Sequence, residues 1–484
     1  MFKRFLKDSA IYGISTFFAR SVVFILLPLY TRLLSANDFG VIELLTVFGN
    51  FVNVTVALEI SQALVRFFPE SANEKDKRSY ASTALWFTLF TYTIFLVLCN
   101  IYSGWISLAL LSDASQNQIF VMSLFATWFY GIFYLIQTQL RVELMAVQYA
   151  ISNLAMNLSS VGSTLILILG FGWDAMGVIA GQLIGNIVGF SVSMFYSRHI
   201  YAFSFDWNKL RELLIFSLPL VISSIGSSAL LYANRIVLGG MMSLSDVGLL
   251  GVAYRVVAPV NLLVLSIQNA AMPIIFSDYR KPDAPKELAR LFLFFVAIAL
   301  FAFLSMSLFS KELFKLMASS EYQDAVSTTP YLVASALMGG MTLFAPGLYI
   351  KKATTIVASV TILSGFLTIT FSYWLIMILG VNGAAIASLL GSTVVFILFM
   401  FFSQKYYYVQ YDFKKAAIAV FASIAILAIG SLLRDVNIIN FLVKLFALSL
   451  FVFLLVLLGL IEKNKIDLLV DYAKDIVHLT RMRK

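Results

Sequence analysis

From Ala353 to Gln404 the chain carries no charged side chain. About 20 apolar residues cross the hydrocarbon core of a bilayer, so this stretch holds two crossings, with the turn "GVNG" (380–383) between them. The rest of the sequence follows the same pattern. Runs of Leu, Ile, Val and Phe alternate with short polar breaks, and 61% of residues are hydrophobic against 12% charged. A soluble domain is about half apolar and a quarter charged. The runs are continuous and not ten-residue alternating stretches, which excludes a membrane β-barrel and predicts an all-α polytopic membrane protein.

Fourteen transmembrane helices are expected, near residues 10–34, 40–66, 81–110, 118–140, 150–171, 175–197, 210–240, 247–275, 289–310, 328–350, 354–379, 383–404, 415–433 and 440–461. The longest polar breaks, 197–212 and 277–290, leave no room for a soluble domain. The N-terminus "MFKRFLKDSA" has the positive flank of a signal peptide, but the apolar run behind it is too long for one and reads as the first span. The single cysteine, Cys99, lies in an apolar run and reads as a small core residue. Lysine and arginine set the orientation. With the N-terminus inside, twenty-five of the 34 fall on the cytoplasmic side, five on the other, and Arg20, Arg66, Arg235 and Arg255 within spans. Both termini are therefore expected in the cytoplasm, in a multi-pass protein of the cell membrane. The net charge of +9 is a topology signal and does not imply nucleic acid.

The chain also repeats itself. "SANDFGV" (35–41) recurs as "SLSDVGL" (243–249), a shift of 208 residues. Gly177, Gly181, Gly185 and Gly189 are spaced by four in the sixth span, and Gly383, Ala387 and Gly391 answer in the twelfth at a shift of 206. Two matches at nearly one period predict two six-helix lobes, 1–208 and 209–410, related by a parallel repeat. Residues 411–484 then form two additional helices and a basic cytoplasmic tail. Small residues four apart let helix backbones approach closely, so the glycines are expected to pack and not to bind. Asp38 and Asp246, in the matched turns, are expected to cap the second and eighth spans.

"LPLYTRLLSANDFGVIELL" (27–45), followed by "ALVRFFPES" (63–71), resembles the opening of the polysaccharide exporters, the Wzx-type flippases for lipid-linked oligosaccharides. Their superfamily also holds multidrug extruders and the lipid II flippase. "FSLPLVISSIG" (216–226) is similar to the start of that family's seventh helix, and "SLSDVGLLGVAYRV" (243–256) to the entry of its eighth. The resemblance implies two lobes around a central cavity that opens alternately to each side. It implies a cargo of undecaprenyl-diphosphate-linked oligosaccharide, moved from the inner to the outer leaflet for cell-surface polysaccharide biosynthesis such as O-antigen. A polysaccharide polymerase is an implied partner, and the lipid bilayer is the solvent.

The membrane-embedded charges are the candidate site. Arg20 sits within "STFFARSVVFILLPLY" (15–30), where an unpaired charge costs about 2.5–3.5 kcal/mol on insertion scales. Two unit charges 4 Å apart attract by about 4 kcal/mol at an effective dielectric of 20, so a bound diphosphate would offset that cost. A planar guanidinium also matches phosphate with two hydrogen bonds. The alternative for Arg20 is an ion pair with Glu59. Glu59, Gln62 and Arg66 are spaced i, i+3, i+7 and are expected on one helix face, with Glu59 the candidate protonation or sodium switch. Arg255 is expected in the cavity, while Arg235, beside Asn234 and Tyr232, either reaches the cavity or snorkels to the headgroups. Ser224 and Ser228, together with Asn234, are candidates for hydrogen bonds to sugar hydroxyls; serines bonded back to their own helix are the competing account. Pro28 and Pro219 lie inside spans one and seven, where a kink could serve lobe motion.

Four embedded arginines against Glu59 and Glu43 favour an anionic cargo over the cationic drugs of a cation-coupled multidrug extruder. A polytopic sugar polymerase would need catalytic groups in a sizeable external loop, and none is long enough. No enzyme activity and no cofactor are expected. No G-x-x-x-x-G-K motif is present, so energy must come from an ion gradient, the membrane potential or consumption of the product.

Overall fold

The computed structural model describes residues 13, 21–22, 24–71, 73–432 and 436–460. Arg20, His478 and the basic tail lie outside the described residues. The first half runs as α1 (Phe24–Leu33), α2 (Ala36–Thr55), α3 (Ile60–Glu70), α4 (Glu74–Ile101), α5 (Ser103–Leu111), α6 (Asn117–Val142), α7 (Ala146–Phe171) and α8 (Ala175–Ser197). Then come α9 (Trp207–Met241), α10 (Leu244–Asp278), α11 (Ala284–Leu308), α12 (Ser310–Met317), α13 (Thr329–Gly340) and α14 (Gly347–Ile350). The chain continues as α15 (Thr354–Leu379), α16 (Val381–Tyr406), α17 (Phe413–Gly430) and α18 (Ile438–Leu457). No strand occurs among the described residues.

Eleven of these helices are long and apolar enough to cross a membrane, and the bent pair α2–α3 makes a twelfth. Of the other two expected spans, the first lies largely outside the described residues. The tenth, 328–350, is broken into α13, a short 3₁₀ turn and α14, at a Gly339–Gly340 pair and before Pro346. Glycine and proline both weaken a helix interior, and hydropathy alone does not register them.

The repeated turn has the same local chemistry in both copies, but the cap is the serine. Ser35 accepts from the Asp38 backbone N–H at 3.2 Å, while the Asp38 carboxylate takes the Ser35 N–H at 3.0 Å. Ser243 and Asp246 repeat this at 3.2 and 3.1 Å. Both are capping boxes with an acid at the third helical position, so Asp38 and Asp246 support the caps and do not form them. A second difference concerns the expected stripe of Glu59, Gln62 and Arg66. Leu58 and Glu59 adopt left-handed backbone, with φ of 50° and 51°, and α2 and α3 meet there at a 43° bend. Glu59 thus stands at the break and not on a continuous helix face.

By contacts the chain divides into two units. One comprises Met1–Arg255, Met317–Ala325 and Thr361–Gly391. Within it, α8 packs on α7 along its glycine stripe. A Cβ at Gly185 would lie 2.7 Å from the Met156 carbonyl and 2.5 Å from the Ser160 Cβ, and one at Gly189 2.8 Å from the Met156 Cβ. Gly383 and Gly391 likewise lie against Leu375 and Thr368 of α15. The stripes are packing surfaces. The other unit comprises Val256–Leu316, Val326–Val360 and Ser392–Lys484. Its core includes Phe292, which meets Phe344 at 5.3 Å and Tyr411 at 4.8 Å between ring centroids. In it Lys444, only 3% exposed within α18, binds Glu312 at 2.6 Å.

Gly185→Leu should destabilise the protein by about 1–3 kcal/mol through overpacking, seen as a lower melting temperature in detergent. Gly162→Ala, on the same hairpin but with open space beside it, should melt at or slightly above the wild-type temperature.

Candidate functional site

Helices α2 and α10 cross at the matched glycines. A Cβ at Gly40 would strike the carbonyl of Leu244, and one at Gly248 would strike that of Ala36. The contact is reciprocal, because Ala36 and Leu244 are themselves 208 residues apart. Backbones this close exclude any larger residue. One turn further along α10, Gly251 leaves room for an arm from α2: a Cβ there would lie 2.8 Å from the Glu43 carboxyl carbon.

Glu43 fills that space and holds two guanidiniums. Its Oε1 is 2.5 Å from Arg255 Nη1, and its Oε2 is 3.2 Å from Arg235 Nε. The side chains of Glu43 and Arg235 are each 9% exposed and that of Arg255 is 25% exposed. At 1.5 Å per residue, the three charges lie about 9–16 Å from the nearest ends of their helices. Water cannot solvate them well there, so each ion needs the others. The rings around them contribute as well. Arg235 lies 4.1 Å over the ring centroid of Tyr254 and 5.4 Å over Tyr232, and Arg255 lies 5.1 Å over Phe39, all within cation–π range. Two guanidiniums against one carboxylate leave one unit of positive charge.

Beside the triad, the Asn234 amide donates to Tyr254 Oη at 2.8 Å and to Ser388 Oγ at 2.7 Å. The ends of α1 and α2 are closed by the segment Met317–Ala325. Thr31 Oγ1 donates to the Met317 carbonyl at 3.0 Å, and Glu321 accepts the Ala36 N–H at 2.8 Å. The Tyr322 hydroxyl donates to the Leu34 carbonyl at 2.8 Å, and burial raises the pKa of that phenol, which keeps it a donor.

Of the residues singled out from the sequence, Arg235, Arg255 and Asn234 come together here. Arg235 is buried with a partner, so it does not snorkel. Arg66 is elsewhere, 59% exposed and 3.3 Å from Glu70. Glu59 is half-buried at the α2–α3 break. On α9, Ser224 is half-buried three turns before Arg235 and Ser228 is buried two turns before it; in the same stretch, Ser227 bonds back to the Ser223 carbonyl at 3.0 Å. Among the described residues, no group of three or more His, Cys, Asp or Glu gathers as a metal site. From the sequence Glu43, the centre of the cluster, counted only as an embedded acid, and Tyr254 and Ser388 were not singled out. One signal was available: at the 208-residue shift Glu43 aligns with Gly251, an exchange of a large residue for the smallest one.

Removing one partner of a buried ion pair costs about 3–5 kcal/mol, whereas replacing the whole set with apolar groups is nearly neutral. Glu43→Gln should therefore lower thermal stability in detergent sharply. Glu43→Leu combined with Arg235→Met and Arg255→Met should recover most of that loss, a non-additivity that a mutant cycle measures directly.

Comparison with known proteins places these features. Solved structures similar to the chain include the lipid II flippase MurJ in an inward closed conformation, with a TM-score of 0.70, 15% identity, and coverage of 91% of this chain and 98% of that one. An inward-facing multidrug resistance MATE family transporter of the MOP superfamily is similar at a TM-score of 0.59 and 15% identity, covering 80% and 97% of the two chains. A MOP superfamily transporter from Pyrococcus furiosus gives 0.55 and 15%, covering 82% and 95%. At such identities the likeness establishes a shared fold. No curated protein matches the sequence. The family model described as polysaccharide biosynthesis protein matches residues 29–327. That match includes Glu43, Arg235, Arg255 and more than half of the chain, which therefore belongs to the polysaccharide biosynthesis protein family.

Proposed function

We propose that the protein is a flippase that moves an undecaprenyl-diphosphate-linked oligosaccharide from the inner to the outer leaflet of the cell membrane by alternating access. The observation that carries this is the buried triad, in which one carboxylate is shared by two guanidiniums and a positive charge is left over. The family's tie to polysaccharide biosynthesis and the fold shared with a lipid II flippase support it. With both termini in the cytoplasm, as the lysine and arginine asymmetry predicts, the triad lies toward the outer face. It then serves as the outer lock. A diphosphate arriving at Arg255 presents the same oxygen geometry as Glu43 and competes for the guanidinium. Exchange of one anion for the other keeps the arginine paired while loosening the Glu43 bridge, so cargo binding and outer opening become one event. In the two-lobe arrangement, lobes 1–208 and 209–410 rock against each other, and the diphosphate passes from Arg20 and Arg66 on the inner side to Arg255. Glu59, at the hinge between α2 and α3, is the proposed coupling switch, and Ser224, Ser228 and Asn234 are proposed sugar contacts.

Cationic drugs are the less suitable cargo, since Glu43 is already bound by two cations. The test is flipping of a fluorescent undecaprenyl-diphosphate oligosaccharide in reconstituted vesicles. Arg255→Gln leaves the Glu43–Arg235 pair in place, so the variant should fold. It should flip at least about tenfold more slowly, the scale of one lost charged hydrogen bond, and so should Arg20→Gln. Normal flipping by Arg255→Gln with none by Arg20→Gln would overturn the hand-over. A wild type that binds a cationic drug and ignores the lipid would overturn the flippase.

A further inference from the structure

A second polar site lies inside the first-half helices, and Arg66, Arg235 and Arg255 are not among its lining residues. It is a cavity of about 340 Å³ between α2, α6, α7 and α8. Among the described residues none that lines it is charged, and its polar walls are amides and hydroxyls. The amides recur at helical spacing: Asn50 and Asn53 on α2, Asn157 on α7, and Gln182 and Asn186 on α8. Most of them commit only one half of the amide to the protein. Asn50 donates to the Thr46 carbonyl at 2.9 Å, Asn157 to the Asn153 carbonyl at 2.7 Å, and Asn186 to the Ala126 carbonyl at 2.9 Å. Asn53 accepts from the Tyr92 hydroxyl at 2.5 Å. What remains at the cavity is the carbonyl oxygens of Asn50, Asn157 and Asn186, the NH₂ of Asn53, the amide of Gln182, and the ring and hydroxyl of Tyr130.

We infer that this cavity binds a neutral sugar unit of the lipid-linked cargo. The inference rests on the flippase reading and adds to it a separate glycan subsite. Half-buried amides inside an apolar bundle need hydrogen-bond partners, and donors interleaved with acceptors match vicinal hydroxyls, each of which both gives and takes. Among the described lining residues a diphosphate would find no cation, and a cationic drug would find no carboxylate. The volume is at the small end of ligand cavities, roughly 300–1,000 Å³, which suits a single sugar.

Native mass spectrometry tests this with undecaprenyl diphosphate, bare or extended by one hexose, N-acetylhexosamine or deoxyhexose. The wild type should bind at least one extended lipid about tenfold more tightly than the bare one, the worth of two or three hydrogen bonds. Gln182→Leu and Asn157→Leu should each erase most of that increment and leave bare-lipid binding unchanged, while Gln182→Asn, which keeps the amide, should retain part of it. An increment that survives both leucine variants, or no increment with any sugar, overturns the glycan subsite and leaves the flippase standing. A wild type that binds neither bare nor extended lipid overturns the flippase, and the subsite with it.

Discussion

A carboxylate held between two guanidiniums inside a membrane helix bundle is the interaction on which the rest of this structure turns. None of the three ions is tolerable alone at that depth, and together they require three helices to converge within ion-pair distance. That convergence needs backbones closer than ordinary side chains permit. Gly40 and Gly248 supply the approach, Gly251 supplies the space for Glu43, and the Met317–Ala325 segment closes the end by hydrogen bonds to α1 and α2. Electrostatics and sterics therefore act on one another: the small residues make the ion cluster reachable, and the ions make the close crossing worth its loss of side-chain packing.

The same rule orders the polar groups elsewhere. Lys444 is buried in α18 only with Glu312 beside it, and the repeated turns each satisfy their first helical N–H groups with a serine and an acid. Five half-buried amides of the first-half helices, by contrast, gather around a cavity. In the proposed flippase the charged triad and the amide-lined cavity would divide the chemistry of a glycolipid headgroup, with guanidiniums suited to phosphate and amides to hydroxyls.

Much of the architecture was legible in the sequence because it is local or periodic. Span positions follow from the length of apolar runs, and the glycine stripes of α8 and α16 follow from a spacing of four. The break at Glu59 was not legible, because no glycine or proline marks its left-handed backbone. The α13–α14 break was marked by glycines and a proline, but hydropathy overrode them. The amide cavity escaped notice because each helix contributes only two or three polar residues, and only four helices together make a site of them.

The sequence by itself determined that the chain is a helical membrane protein, that its turns repeat at 208 residues, and that its embedded charge is mostly arginine, since hydropathy and spacing are properties of single segments. Only the tertiary structure decided which charges meet. Arg235 and Arg255 found Glu43, while Arg66 remained at the surface with Glu70. An ion pair between helices depends on crossing distance and side-chain reach, and those are set by which residues are small at the contact, not by where the charges stand along the chain.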